Sequence, residues 1–377
     1  MSWQFTKSRD WAQLEAQFDF VRDMQNVPQD ALHHAEGNVA IHTQMVLAAL
    51  ESLPEYQQLP ELEQNIVWAA ALLHDVEKRN TTREDEEGRI HSPGHAKKGE
   101  LSARNILFRQ VDTPFAVREK IAALVRFHGL PLWLMEKPDP ERTLFAASLR
   151  VKMSLLCMLA KADAIGRTCE DKAELLARIE LFELFCREQA CWDKPKEFAS
   201  LAGRFHYFHH QRGTPDYQPF EEEGSEVTML CGLPGMGKDH FVKQFYPQTQ
   251  MVCLDEIRRE HKINPADRNA QGWVAQQGKE QAKQFLRTKT NFIWNATSLS
   301  ASLRESMVSL FARYQAKVHI VYLEVPAKQW RQQNQQRKFA VPEQVMERMA
   351  GKLELPTPDE AYRVSYYING EFVDLLD

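Results

Sequence analysis

Near the middle of the chain, Glu226-Val-Thr-Met-Leu-Cys231 runs directly into Gly232-Leu-Pro-Gly-Met-Gly237-Lys238-Asp239. An apolar, β-branched run followed by G-x-x-x-x-G-K dictates a strand, a tight phosphate-sized loop and a helix, in that order. Glycines at 232, 235 and 237 let successive backbone N–H groups face an anion. The helix N-terminus adds its dipole, and Lys238 reaches the terminal phosphoryl group. A strand of this kind needs parallel neighbours joined by helices. Short apolar runs at 251–254, 291–295 and 317–325 supply them, alternating with helical stretches at 271–289 and 300–314. Residues 226–377 therefore read as an α/β domain with a parallel sheet. Where the motif ordinarily places Ser or Thr on Mg²⁺, this chain has Asp239, a carboxylate able to hold the same ion.

The stretch before the loop follows a different period. From Trp11 to about Phe208 apolar residues recur three and four apart, with no alternating strand, so an all-α domain over residues 1–212 is expected. Gly213 to Ser225, with two prolines and three consecutive glutamates, reads as a linker. The 377 residues fit two domains at roughly 100–200 residues each. The formal charge of −5 conceals a division: residues 1–225 carry 27 basic and 35 acidic side chains, residues 226–377 carry 20 and 17. Neither half is basic enough for a wide duplex footprint, although contact with a nucleic-acid end remains compatible.

Ten of the thirteen histidines lie between His33 and His210. His74-Asp75 closes the apolar run Ile66–Leu73, so two ligand-type side chains stand at the deep end of a core helix, where polar groups need partners. His42 lies on the stripe of Val39 and Val46, and Asp163 on that of Leu156 and Leu159, within a 144–166 segment read as one buried helix. Three helices thus each send a metal-type ligand inward. Ser92-Pro93 reads as the N-cap and first residue of another helix, with His95 in its first turn, and His128 closes the run IAALVRFH. Taken singly, His91 or His128 reads as a satisfied core side chain. His33, His206, His209 and His210 read as surface or helix-end residues. Lys78, four beyond His74, shares its face if the helix continues and would hold a phosphate oxygen. Imidazole and carboxylate together suit Mn, Fe, Co, Ni or Zn.

The six cysteines show no C-x-x-C pair, so reduced, buried thiols are expected. The N-terminus lacks the apolar core of a signal peptide, and the 144–166 segment is interrupted by charges. A soluble cytoplasmic protein without membrane contact is the resulting expectation.

In the second half, the 251–254 strand delivers Asp255 to the carboxyl edge of the sheet, followed by Arg258. The carboxylate there is either a general base for an attacking hydroxyl or a helix N-cap, and spacing leaves both open. Asn295 ends the next strand, with Arg304 in the following helix, and Arg331, Arg337 and Lys338 form a cationic segment suited to a lid over phosphates.

The pattern His42, His74-Asp75, His95, His128 and Asp163 resembles the HD phosphohydrolase superfamily. GLPGMGKD, LDEIR, WNATSLS and NQQR resemble the polynucleotide-kinase-like branch of P-loop phosphotransferases. An HD unit followed by such a kinase is similar to the bacterial HD-Pnk proteins. The resemblance implies 5′-hydroxyl phosphorylation with ATP or another NTP and Mg²⁺, with Asp255 as base, Arg258 on an acceptor phosphate and Arg337 on the donor. It implies removal of 2′,3′-cyclic, 2′- or 3′-phosphate by an HD site holding one or two divalent metals, acting on RNA or DNA ends with a ligase downstream. Asn295 stands where phage-type kinases have an acid. Two rivals fit the same motifs: an HD nucleotidase or cyclic-nucleotide phosphodiesterase fused to a small-molecule kinase, and a nucleotide-sensing module without turnover.

Overall fold

The computed structural model describes residues 2–210, 213–264, 267–337 and 339–375. The chain folds as two compact units that divide after Lys196. The division lies upstream of the 213–225 linker expected from sequence. The Leu201–His209 helix, capped by the Ser200 hydroxyl on Gly203 N–H, belongs to the second unit, where His209 Nε2 lies 3.1 Å from Asp359 O.

The first unit is helical. The Val39–Ser52 helix starts at Asn38, whose side chain accepts from Ile41 N–H at 3.0 Å, and it packs against Glu61–Leu73 and Met153–Ile165. All of Ile66–Leu73 is buried, so His74 and Asp75 leave the helix end inside the core. The approach of Met153–Ile165 to Val39–Ser52 depends on Gly166, where an added Cβ would fall 2.8 Å from Val46 N and 2.9 Å from its Cα. Any side chain there pushes apart the two helices that carry His42 and Asp163.

Three local expectations are corrected. Residues 144–166 are not one helix: Pro140–Ser148 and Met153–Ile165 meet at 108°, and no single helix among the described residues is long and apolar enough to cross a membrane. Ser92 does not cap the helix at His95; Gly94, at φ +73°, precedes it instead. The helix before His74 does not continue to Lys78, which opens a short separate helix, Lys78–Thr81. A small antiparallel pair, β1 (Arg83–Glu84) and β2 (Ile90–His91), lies between Lys78–Thr81 and the helix that starts at His95, within a region read as wholly helical.

The second unit is built on a six-stranded sheet of β3 (Glu226–Cys231), β4 (Gln250–Cys253), β5 (Phe292–Asn295), β6 (Lys317–Glu324), β7 (Arg363–Ile368) and β8 (Glu371–Val373), in the order β4-β5-β3-β6-β7-β8. All pairings are parallel except β7 with β8. Leu230 and Cys253 are both in register with Asn295. The carboxyl ends of β3, β4 and β5 are therefore level, which brings the phosphate loop, Asp255 and Asn295 to one edge.

Candidate metal centre and phosphate site

Four imidazoles converge in the first unit, and their hydrogen bonds fix which nitrogen is free. His74 Nδ1 lies 2.7 Å from Ala71 O, while His95 Nδ1 and His128 Nδ1 lie 2.8 Å from Ser92 O and Val125 O. A carbonyl only accepts, so each Nδ1 carries the proton and each Nε2 presents a lone pair. His42 Nδ1 likewise meets the Glu36 carboxylate at 2.9 Å. The four Nε2 atoms then face one another in pairs, bare on His74, His95 and His128: His42 with His74 at 3.4 Å, His95 with His128 at 3.3 Å. Opposed lone pairs repel unless a cation stands between them.

The carboxylates complete two donor sets. Asp163 Oδ1 is 3.2 Å from His42 Nε2. Asp75 divides its oxygens, with Oδ2 at 3.3 Å from His74 Nε2 and Oδ1 at 3.5 Å and 4.0 Å from His95 and His128. The sets His42–His74–Asp163 and Asp75–His95–His128 each have ligand atoms within 4.8 Å of one another. Burial alone would push the Asp75 and Asp163 carboxyls up, yet both are held well below the usual range, Asp75 chiefly by Lys78 and His74, Asp163 chiefly by Arg167. Burial, reinforced by His95, pushes the His128 imidazole down to about 3, so it stays neutral and able to ligate. The donor set therefore fits divalent cations of the imidazole-binding kind.

Several supporting groups carry no sequence period. Glu36 accepts from Thr168 N–H at 2.8 Å through its second oxygen and also faces His34 Nδ1 at 2.9 Å. Arg167 forks onto Asp163 at 3.1 and 2.7 Å. Lys78 reaches Asp75 Oδ2 at 2.8 Å and donates to Gln29 Oε1 at 2.6 Å. Of these only Lys78 belongs to the sequence-derived set; Arg167 was legible as a partner four residues beyond Asp163. Carboxylates that orient ligating histidines typically matter about 10–100-fold in metal affinity. Glu36→Gln is accordingly expected to weaken transition-metal binding about 10-fold or more by competition with a chelating dye, with the melting curve of the metal-free protein little changed.

In the second unit, Gly232, Gly235 and Gly237 all take positive φ, at 152°, 85° and 88°. A Cβ at Gly232 would stand 2.6 Å from Leu323 O, so only glycine lets the loop leave the sheet there. Lys238 donates to Gly232 O at 2.8 Å and Leu233 O at 2.9 Å, and burial pushes its ammonium down to about 8. Asp239, Asp255, Asn295, Thr297 and Arg337 line the same cavity of about 220 Å³. Asn295 Nδ2 donates to Asp239 Oδ1 at 3.1 Å. Asp255 lies in the first turn of Leu254–Glu260, whose N-cap is Cys253, so it is not the cap. It pairs with Arg258, which also donates to Gln271. Arg337 Nη1 is buried with no partner, a cation suited to an anion that enters the cavity.

Family models match both units: an HD domain over residues 39–165 and an AAA domain over residues 227–356. The chain contains an HD domain followed by an AAA domain. The HD assignment implies a divalent metal, and the phosphate loop of the AAA domain implies a nucleotide with Mg²⁺. The two domains and their order are those of the HD-Pnk proteins that the sequence resembles. Among solved structures, a chain of a Pnkp1/Rnl/Hen1 complex aligns at 18% identity and a TM-score of 0.29, over 33% of this chain and 44% of that one. Another, from a Pnkp1/Rnl/Hen1 RNA repair complex, aligns at 20% identity and 0.33, over 37% and 47%. The matches span less than half of either chain.

The HD domain gathers all six ligand candidates, and the AAA domain brings Lys238, Asp239, Asp255 and Arg337 into one cavity. Arg331 is exposed and not part of that lining, Lys338 lies outside the described residues, and Arg304 forks onto Glu360 in a buried structural pair.

Proposed function

We propose that the chain heals broken nucleic-acid ends. The HD domain removes 2′,3′-cyclic, 2′- or 3′-phosphate, and the AAA domain phosphorylates the 5′-hydroxyl at the expense of an NTP. The observation that supports this most is the coexistence in one chain of an Asp75-bridged double donor set and a phosphate cavity that also holds an exposed carboxylate, Asp255. Ligation needs a 5′-phosphate and a free 3′-hydroxyl, and the two sites supply one each.

In the HD domain His42, His74 and Asp163 would hold one cation and His95 and His128 a second, with Asp75 shared. The bound cations supply Lewis acidity and activate water. Lys78, held against Asp75, offers its ammonium to a phosphate oxygen. Hydrolysis adds one water: its oxygen bonds phosphorus, one ribose oxygen leaves, and that oxygen takes a proton.

In the AAA domain the loop amides and Lys238 cradle the donor phosphates, with Arg337 on the phosphoryl group in transfer. Asp239, which accepts from Asn295, would contribute the carboxylate for Mg²⁺. Asp255 takes the proton of the 5′-hydroxyl, whose oxygen bonds the γ-phosphorus as the bond to the departing nucleoside diphosphate breaks. Arg258 holds Asp255 and would meet an acceptor phosphate.

The two sites differ in ligand hardness, which gives a metal test. After chelation and dialysis, Mg²⁺ alone is expected to restore phosphoryl transfer, whereas hydrolysis returns only with Mn²⁺, Co²⁺ or Ni²⁺. Full recovery of hydrolysis with Mg²⁺ alone would contradict the assignment of the imidazole set. Acceptor class is tested with a labelled γ-phosphate donor, offering a 5′-hydroxyl oligonucleotide beside nucleosides and sugars. Transfer only to the small molecules would favour a metabolic kinase.

A further inference from the structure

The Asp75–His95–His128 set opens into a cavity of about 640 Å³, far larger than a phosphate group needs and within the range that holds a nucleotide-sized ligand. One wall carries Asp75, Lys78, His95 and His128; another is apolar, formed by Phe127, Leu130, Leu132 and Trp133. Leu130 and Leu132 are core residues, but Trp133 is 40% exposed. A large aromatic ring left half open beside a phosphate-type site is not explained by packing. Its position is held by a cation: the Arg178 guanidinium lies 4.6 Å from the ring centroid and is itself held by Glu136 and Glu174 at 2.8 Å each. The indole is thus pre-ordered at little entropic cost, as a stacking platform requires.

We infer that Trp133 is the base-stacking residue of the HD domain: it takes the nucleobase attached to the ribose whose phosphate meets the metal-type ligands. This inference rests on the phosphoester reading of that cavity and adds to it a determinant for nucleosides over bare sugar phosphates. Every base offers a π-face, so the platform selects for the presence of a base and not for its identity. Lys137 and Arg126 line the same cavity and give it the cationic side that a phosphate-linked neighbour would meet.

The test compares adenosine 2′,3′-cyclic phosphate with the same cyclic phosphate on an abasic ribose, in the metal-loaded full chain. For Trp133→Ala, KM for the adenosine substrate is expected to rise about 10-fold or more, with kcat retained and the abasic substrate unaffected; Trp133→Phe, which keeps a ring, stays within a few-fold of wild type. Calorimetry provides a readout independent of turnover: adenosine 3′-phosphate binding to Trp133→Ala weakens by a similar factor, while inorganic phosphate binding is unchanged. Equal losses on both cyclic phosphates, or none on either, would overturn the stacking role. A wild-type protein that hydrolyses both with the same KM would also overturn it and leave the phosphoester reading standing. Hydrolysis of neither would remove that reading and the inference together.

Discussion

His74→Ala abolishes phosphoester hydrolysis and leaves 5′-hydroxyl phosphorylation at the wild-type rate. The expectation follows from the position of one nitrogen. His74 Nδ1 is committed to Ala71 O, so Nε2 is a bare donor that faces His42 Nε2 and Asp75 Oδ2 at 3.4 and 3.3 Å. Alanine removes the donor at the junction of the two sets, and no nearby side chain replaces it. The phosphate loop belongs to the other compact unit, with its own sheet and core. Parallel assays of one preparation check both halves: the kinase serves as the internal report of folding. Loss of both activities would point to one shared site or to global unfolding.

Asp255→Asn should lower kcat for transfer to a 5′-hydroxyl oligonucleotide about 100-fold or more, with the KM for NTP little changed. The substitution keeps shape and removes the property required of a base, a lone pair basic enough to take the proton. Asp255 is 62% exposed and is not the cap of its helix, so the change leaves no buried group unsatisfied. Arg258 retains its bond to Gln271, which keeps the acceptor side in place. Unchanged transfer by Asp255→Asn would show that another group takes the proton.

The catalytic geography was legible where chemistry coincides with local periodicity. Glu226–Cys231 and its glycine loop are contiguous in sequence, so strand, turn and helix could be read directly. His42 and Asp163 ride apolar helical stripes and His74 closes an apolar run, and burial follows from that pattern. Features set by distant chain were not legible in the same way. Glu36 sits in a turn with no period and acquires its partners only when Thr168 and His42 are brought to it by folding. The 144–166 segment contains no Gly or Pro before Gly166, yet it breaks before Met153, where Lys152 is extended and Ser154 N–H finds Trp192 O. β7 and β8 passed unread although Asn369-Gly370 is a hairpin signal, because β7 pairs with β6 through a long connection that local pattern does not report.

The central claim, two complementary end reactions in one chain, is tested most directly on one oligonucleotide. An RNA with a 5′-hydroxyl and a 2′,3′-cyclic phosphate is incubated with the protein, γ-labelled NTP, Mg²⁺ and Mn²⁺; label on the strand reports the 5′ end, and release of the last residue by alkali as a nucleoside or as a nucleotide reports the 3′ end. The predicted product carries a 5′-phosphate and free 2′- and 3′-hydroxyls. An RNA that takes up no label and keeps its terminal phosphate, under conditions where the same protein phosphorylates nucleosides or sugars, would contradict it.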